Sequence, residues 1–183
     1  NDFEIVAANL LLGINQGLAW SATVIMKVDL VGPARRGLAL GINEAAGYLA
    51  VAAAALATGL IAGSFGLRPE PFYLGIAIVG LGLGASVLFV RETRDHVALE
   101  SSILAASTRG IADAPSWWSV VRRTTFGDRR LFATSQAGLV NNLNDGMAWG
   151  LLPLYYAAAG LSIVEIGVLA AAYPAVWAVG QIG

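Results

Sequence analysis

Residues 71–90 form twenty consecutive positions without a charged side chain, and the chain contains several stretches of this kind. At a rise of 1.5 Å per residue, a helix of that length spans about the 30 Å hydrocarbon core of a bilayer. The composition agrees, because 13% of the residues are charged, against about 25% in a typical globular chain. The sequence therefore predicts an all-α polytopic membrane protein.

Five transmembrane helices are predicted, at residues 5–26, 38–67, 71–90, 131–161 and 166–183. Only helices and closed barrels satisfy every backbone polar group inside lipid. The apolar runs lack the alternation of a barrel strand and exceed its 9–11 residues, so we interpret them as helices. The second and fourth spans each contain one carboxylate, Glu44 and Asp145. Because ionisable side chains are rare inside membrane spans, we consider these two residues first as functional candidates.

The basic residues concentrate on one side of the predicted topology. Ten of the eleven lysines and arginines lie in segments 27–37 and 91–130, and Arg68 is the exception. The positive-inside rule therefore places both segments in the cytoplasm and the first residue outside. Within the longer segment, Trp117 and Trp118 precede clustered arginines, which favours a helix at the membrane surface over a solvated basic linker.

Several function classes lack support in the sequence. The net charge of −1 gives no electrostatic case for nucleic-acid binding, and the absence of cysteine excludes disulfides. One histidine, His96, cannot form a histidine cluster for a metal. We find no metalloprotease, serine-hydrolase or ATP-binding motif, so neither an enzyme nor a cofactor is expected. Because the chain opens with Asn1 and stops inside an apolar run, we expect part of a longer protein.

A recognisable pattern covers the first span and the loop that follows it. The span contains the run GINQG at residues 13–17, followed by Asp29 and then by GPARRGLALG at residues 32–41. This pattern resembles the fourth helix, the cytoplasmic 4–5 loop and the fifth helix of the major facilitator superfamily. The remaining spans fit family helices 6, 7 and 8 in order and orientation. One departure is Asn9, since many members carry an arginine early in helix 4.

The resemblance implies a partial fold of that family in three parts. Residues 1–90 would end the N-terminal half, residues 91–130 would form the cytoplasmic central loop, and residues 131–183 would begin the C-terminal half. The implied activity is secondary transport of a small organic solute across the cell membrane by alternating access, in exchange for protons. The alternative is a membrane receptor or scaffold that uses the central loop to bind a partner.

Asp145 is the first candidate for the substrate or coupling site. An ionised carboxylate at membrane depth costs roughly 2.5–3.5 kcal/mol on insertion scales, so it indicates a water-filled cavity or a polar partner. Asn141 and Asn142 precede it by four and three residues and therefore share its helix face, and Asn144 is adjacent. The alternative is a polar network that holds this helix to its neighbours.

Further candidates lie on the first two spans. Glu44 lies one turn into the second span, where it is either a cavity carboxylate or part of an anchoring ion pair near the cytoplasmic interface. Asn15, Gln16 and Trp20 on the first span are predicted to face the cavity, which the resemblance places beside this helix. Since the span interiors hold carboxylates but no basic side chain, a neutral or cationic solute is favoured.

Two aromatic residues of the last span, Tyr173 and Trp177, form a stripe with Gln181 at spacings of four. We interpret this stripe as packing rather than as a site. The resemblance assigns Asp29 a gating role, as the acid that latches the cytoplasmic gate. Arg35 and Arg36 join it in the predicted gating loop, where topology and head-group contact are the alternative roles.

Overall fold

The computed structural model describes residues 2–31, 33–93, 95–96, 98–99, 101–102 and 116–181. Its principal helices are α1 (Asp2–Val31), α2 (Arg36–Phe65), α3 (Glu70–Phe89), α4 (Trp117–Arg122), α5 (Arg129–Gly150), α6 (Leu152–Ala158) and α7 (Ile163–Gly180). The described residues contain no strand. This all-helical architecture confirms the predicted fold class.

Four helices are long and apolar enough to cross a membrane, namely α1, α2, α3 and α7. Their large apolar side chains point outward; Leu81 and Val87 on α3, for example, are 75% and 74% exposed. Apolar surface of this extent is unfavourable in water but is matched by lipid tails. The protein is therefore a multi-pass membrane protein.

The predicted count of five spans was too high by one, since the segment 131–161 is not among those four. The segment divides at Leu151, where α5 ends and α6 begins, two residues before Pro153. Proline lacks a backbone N–H and so interrupts a helix at this point. With 22 residues, α5 is about 33 Å long, but its many polar side chains make it the least apolar of the long helices.

The connection between α1 and α2 is shorter than predicted. The sequence indicated a loop from Lys27 to Gly37, but α1 continues to Val31 and a 3₁₀ turn at Pro33–Arg35 leads directly into α2. Basic and acidic side chains do not by themselves end a helix, because both are good or tolerable helix formers. The break coincides instead with the proline, whose fixed φ suits the start of a helical turn.

The helices α5 and α7 begin with side-chain caps. Asp128 accepts hydrogen bonds from the backbone N–H groups of Arg130 (2.8 Å) and Leu131 (3.2 Å) at the start of α5. Ser162 and Glu165 form a capping box at the start of α7. Such caps satisfy backbone donors that a helix leaves unpaired at its N-terminus. A π-helical turn, Arg123–Gly127, joins α4 to the α5 cap.

The most extensive helix contact joins α2 and α7. The two run antiparallel, because Tyr48 stacks on Trp177 while Gly59 meets Gly167 nearer the other end. Small side chains line this contact and permit close approach of the backbones; the buried residues are Ala45, Tyr48, Ala52 and Gly59 on α2, and Gly167, Ala171, Pro174 and Ala178 on α7. Since α1 and α3 also contact α2, this helix is central to the described fold.

Candidate functional site

Asp145 lies where three helices meet. The residue belongs to α5 and is 5% exposed. Tyr173 of α7 donates a hydrogen bond from Oη to Oδ1 at 2.5 Å, and the Tyr48 hydroxyl of α2 lies 3.5 Å from Oδ2. One carboxylate therefore links α2, α5 and α7. We refer to Asp145, Asn144, Tyr48 and Tyr173 as the Asp145 site.

The two tyrosines hold the carboxylate unequally. The Tyr173 distance is typical of a short, charge-assisted O–H···O⁻ bond, whereas 3.5 Å is at the limit of any hydrogen bond. Asn144 strengthens the first contact, because its Nδ2 donates to the Tyr173 hydroxyl at 3.1 Å. A hydroxyl can donate one bond and accept others, so Tyr173 satisfies both partners at once. The carboxylate is consequently fixed to α7 more firmly than to α2.

Basic side chains are distant from Asp145 along the helices that form its site. On α2, the nearest is Arg36, twelve residues or about 18 Å from Tyr48 along the axis. On α5, Arg130 precedes Asp145 by fifteen residues, or about 22 Å. The helix α7 carries no lysine, arginine or histidine. Within these helices, the Asp145 carboxyl group is therefore held by hydroxyl groups and not by an ion pair.

Three rings from three helices form a layer beside the carboxylate, which we call the aromatic layer: Trp20, Tyr48 and Trp177. Trp20 meets Tyr48 edge-on with centroids 6.1 Å apart, and Tyr48 stacks on Trp177 at 5.0 Å. Tyr173 also meets Trp177 edge-on at 5.8 Å. The Nε1 of Trp177 is buried and has no acceptor among the described residues. The layer thus contains a donor that a bound solute can satisfy.

Tyr173 also lines an apolar cavity of about 280 Å³. Its walls come from α2, α5, α6 and α7, and include Val51, Ala148, Trp149, Tyr156, Leu169 and Tyr173. Ala148 and Trp149 follow Asp145 by three and four residues, so they share the helix face of the carboxylate. We call this space the apolar cavity. Because α2 and α7 are antiparallel, it and the aromatic layer flank Asp145 from opposite directions along the helices.

The structure brings together some of the residues predicted for the site. Asn144 and Asp145 form its polar centre, and Trp20 reaches it through Tyr48. Glu44 is half-buried one helical turn from Tyr48, where its Oε1 lies 3.5 Å from the Nδ2 of the neighbouring Asn43.

Other predicted site residues lie outside the Asp145 site. Asn15 and Gln16 are exposed on α1. Asn142 is exposed and donates to the Gly138 carbonyl of its own helix at 3.0 Å, and Asn141 is half-buried. Sharing a helix face with Asp145 was therefore insufficient to place these amides against α2 or α7.

The predicted gating residues are also separated in the structure. Asp29 is half-buried and lines a groove together with Met26, Glu92 and Thr93. Arg35 ends the 3₁₀ turn and Arg36 begins α2, and both are exposed. The groove that contains Asp29 does not include either arginine. Part of the predicted central loop, residues 103–115, lies outside the described residues.

Sequence reasoning missed two members of the Asp145 site, Tyr48 and Tyr173, and one ring of the aromatic layer, Trp177. The last two were recognised as a stripe, but their spacing of four was interpreted as packing. Tyr48 was not among the predicted site residues. A signal was present, since a buried carboxylate without a basic neighbour on its own span requires hydroxyl or amide donors from other spans. Which spans supply them is decided by the α2–α7 contact.

Comparison with known proteins supports one family. The model of a family described as Major Facilitator Superfamily matches residues 1–183. No curated protein and no solved structure matches the chain.

Proposed function

The chain belongs to the major facilitator superfamily, and we propose that the intact protein is a secondary transporter that exchanges a small organic solute for protons. Transport of a solute across a membrane is the activity of the family, while the solute, the coupling ion and the residues are our proposal. The observation that carries it is the buried Asp145 carboxylate, held by side chains of α2 and α7.

The chain contributes to both halves of the proposed transporter. We assign residues 1–90 to the N-terminal half, 91–130 to a cytoplasmic central loop and 131–183 to the C-terminal half. On this assignment Tyr48 belongs to one half, while Asp145 and Tyr173 belong to the other. The carboxylate then lies at the boundary that opens and closes during alternating access. A change in its charge or occupancy would alter contacts between the halves.

Protonation of Asp145 would change its hydrogen bonds to the two tyrosines. An ionised Asp145 accepts hydrogen bonds from both tyrosines, whereas a protonated one becomes a donor itself and loses part of that acceptor capacity. Because the charged group costs several kcal/mol at membrane depth, the site favours states in which a proton or a solute relieves the charge. A proton and a solute that bind the same carboxylate compete, and this competition couples their movements in opposite directions.

The distribution of basic residues indicates how the chain is oriented in the membrane. The excess of basic residues supports a cytoplasmic position for segments 27–37 and 91–130 in a cell membrane. Asp29, Arg35 and Arg36 then lie on the cytoplasmic side, where we propose that Asp29 contributes to the inner gate. Glu44 is one turn nearer this side than Tyr48, and we propose it as a second carboxylate on the solute path.

Everted membrane vesicles that contain the intact protein test this function. A pH gradient is imposed, and its collapse is followed after addition of cationic, neutral or anionic organic solutes. We expect one solute class to collapse the gradient in the wild type and to have no effect in Asp145→Asn. The matched control is Asp128→Asn on the same helix, because asparagine caps a helix as well as aspartate does.

The outcomes distinguish the proposal from its rivals. Loss of coupled transport in Asp145→Asn, with normal membrane insertion and an active Asp128→Asn control, supports the assignment. Wild-type transport by Asp145→Asn contradicts Asp145 as the coupling site. If the properly inserted wild-type protein moves no solute and no protons, the transporter proposal fails, and a receptor or scaffold role for the central loop becomes the better explanation.

A further inference from the structure

We infer that the Asp145 site binds a small amphipathic organic cation, whose charged head lies at the carboxylate and whose apolar body occupies the apolar cavity. The inference rests on the proposed function, because it names the class of solute for that site. It is carried by three features that adjoin one another: a buried carboxyl group with no ion pair among the described residues of its three helices, a group of aromatic rings and an apolar cavity on the same helix face.

The charge of the site selects the head of the solute. Asp145 is 5% exposed, and on the three helices around it no basic side chain lies within about 18 Å along the axis. A buried carboxylate is stabilised by an opposite charge and destabilised by a like one. A cationic head therefore gains most from this position, a neutral head gains only hydrogen bonds, and a carboxylate or phosphate is repelled.

The carboxylate retains hydrogen-bonding capacity for a ligand. Its two oxygens offer about four acceptor positions. The described hydrogen bonds use one firmly, from Tyr173, and one weakly, from Tyr48 at 3.5 Å. A hydrogen bond from a cationic head to Oδ2 would thus leave the Tyr173 bond to Oδ1 intact.

Aromatic rings surround the position of the head. Tyr48 and Trp177 stack with centroids 5.0 Å apart, and Tyr173 meets Trp177 edge-on. The electron-rich faces and hydroxyl groups of such rings attract ammonium centres, most strongly where water is excluded. The rings are therefore suited to an alkylated ammonium, which has few or no N–H groups and gains from aromatic contact.

The apolar cavity selects the body of the solute. Its volume of about 280 Å³ is slightly below that of typical small-molecule sites, which are about 300–1,000 Å³. Ala148 and Trp149 connect it to the carboxylate along one face of α5. A single aromatic ring or a short alkyl group fits this space, whereas a polyhydroxylated body would leave its hydroxyl groups without partners.

Binding to the purified full-length protein tests the inference with four related probes. The reference is trimethyl(2-phenylethyl)ammonium; its neutral analogue replaces the nitrogen by carbon, 3-phenylpropionate carries the opposite charge, and tetramethylammonium lacks the body. Competition against a radiolabelled reference cation gives relative affinities. We expect the reference to bind at least about thirtyfold more tightly than its neutral analogue and about tenfold more tightly than tetramethylammonium.

Two variants separate head from body. Asp145→Asn is expected to remove the preference for the cation over its neutral analogue. Ala148→Leu fills the apolar cavity and is expected to weaken the reference cation while leaving tetramethylammonium binding unchanged. The control is Ala157→Leu, an exposed position on α6 that does not line the cavity.

The results distinguish this inference from the proposed function. Equal binding of the neutral analogue, tighter binding of the anion, or equal weakening of both cations by Ala148→Leu would overturn the inference. A solute of another class that collapses the pH gradient would also overturn it, yet leave the transport proposal standing. Selective cation binding without proton-coupled transport would instead support the inference and reject coupled exchange.

Discussion

Alanine at Gly59 is expected to destabilise the contact between α2 and α7. A Cβ at this position would lie 2.8 Å from the Cα of Gly167. Carbon atoms without a bond between them prefer about 3.5–4.0 Å, so the helices must separate locally by about 0.7–1.2 Å. Overpacking of this kind costs about 1–3 kcal/mol. The free energy of unfolding, measured by reversible SDS titration in mixed micelles, should fall by that amount relative to a matched control.

The matched control is Gly80→Ala on α3, where a Cβ meets nothing within 4 Å. This control measures how much alanine stabilises a helix relative to glycine, up to about 1 kcal/mol, where the added methyl group contacts no neighbouring helix. Gly167→Ala should match Gly59→Ala, because its Cβ would lie equally close to the Gly59 Cα. Once the helices have separated, the second methyl group meets less resistance, so the double variant should cost less than the sum of the single ones.

One result would refute this reasoning. If Gly59→Ala and Gly80→Ala have the same free energy of unfolding, the α2–α7 contact does not depend on close glycine approach. Full additivity of Gly59→Ala and Gly167→Ala would also contradict it, since the two methyl groups would then not share one gap.

Three further predictions concern the Asp145 site and the α5 cap. Tyr173→Phe should lower the free energy of unfolding by about 1.5–3 kcal/mol and Tyr48→Phe by less than about 0.5 kcal/mol, because only the first variant removes a short hydrogen bond to a carboxylate. Equal effects of the two variants in SDS titration would contradict this geometry. Trp177→Phe should cost less than about 1 kcal/mol, since loss of the unpaired buried N–H offsets the smaller ring, whereas Trp177→Ala should cost about 3–5 kcal/mol. Asp128→Ala should cost about 1 kcal/mol in thermal unfolding, while Asp128→Asn should be near wild type because it retains the cap; equal losses would show that the cap contributes little.

The sequence was most informative where a single helix decides the outcome. Long apolar runs predicted α2 and α3 to within two residues at each end, because hydropathy and length act locally. The fourth predicted span was wrong in extent for a local reason that was visible, Pro153, whose effect on helix continuity was underestimated. The loop before α2 was misjudged because charged side chains do not end helices.

The composition of the candidate site, in contrast, depends on contacts between helices. Asp145 was identified from its position in an apolar span, since the cost of burying a charge requires no knowledge of neighbours. The same argument could not predict which amide side chains of α5 contact the other helices. Asn144 bonds to Tyr173, whereas Asn142 bonds to its own helix, and the choice depends on which side of α5 faces α7.

By itself the sequence determined the all-helical class, four of the five predicted spans and the family. The class and the spans follow from the length of apolar runs, which is a property of one segment at a time. Only the tertiary structure decided that Tyr48 and Tyr173 hold Asp145 and that an apolar cavity adjoins it. Those contacts exist because glycine and alanine allow α2 and α7 to approach closely, and the register of two helices is a property of neither sequence segment alone.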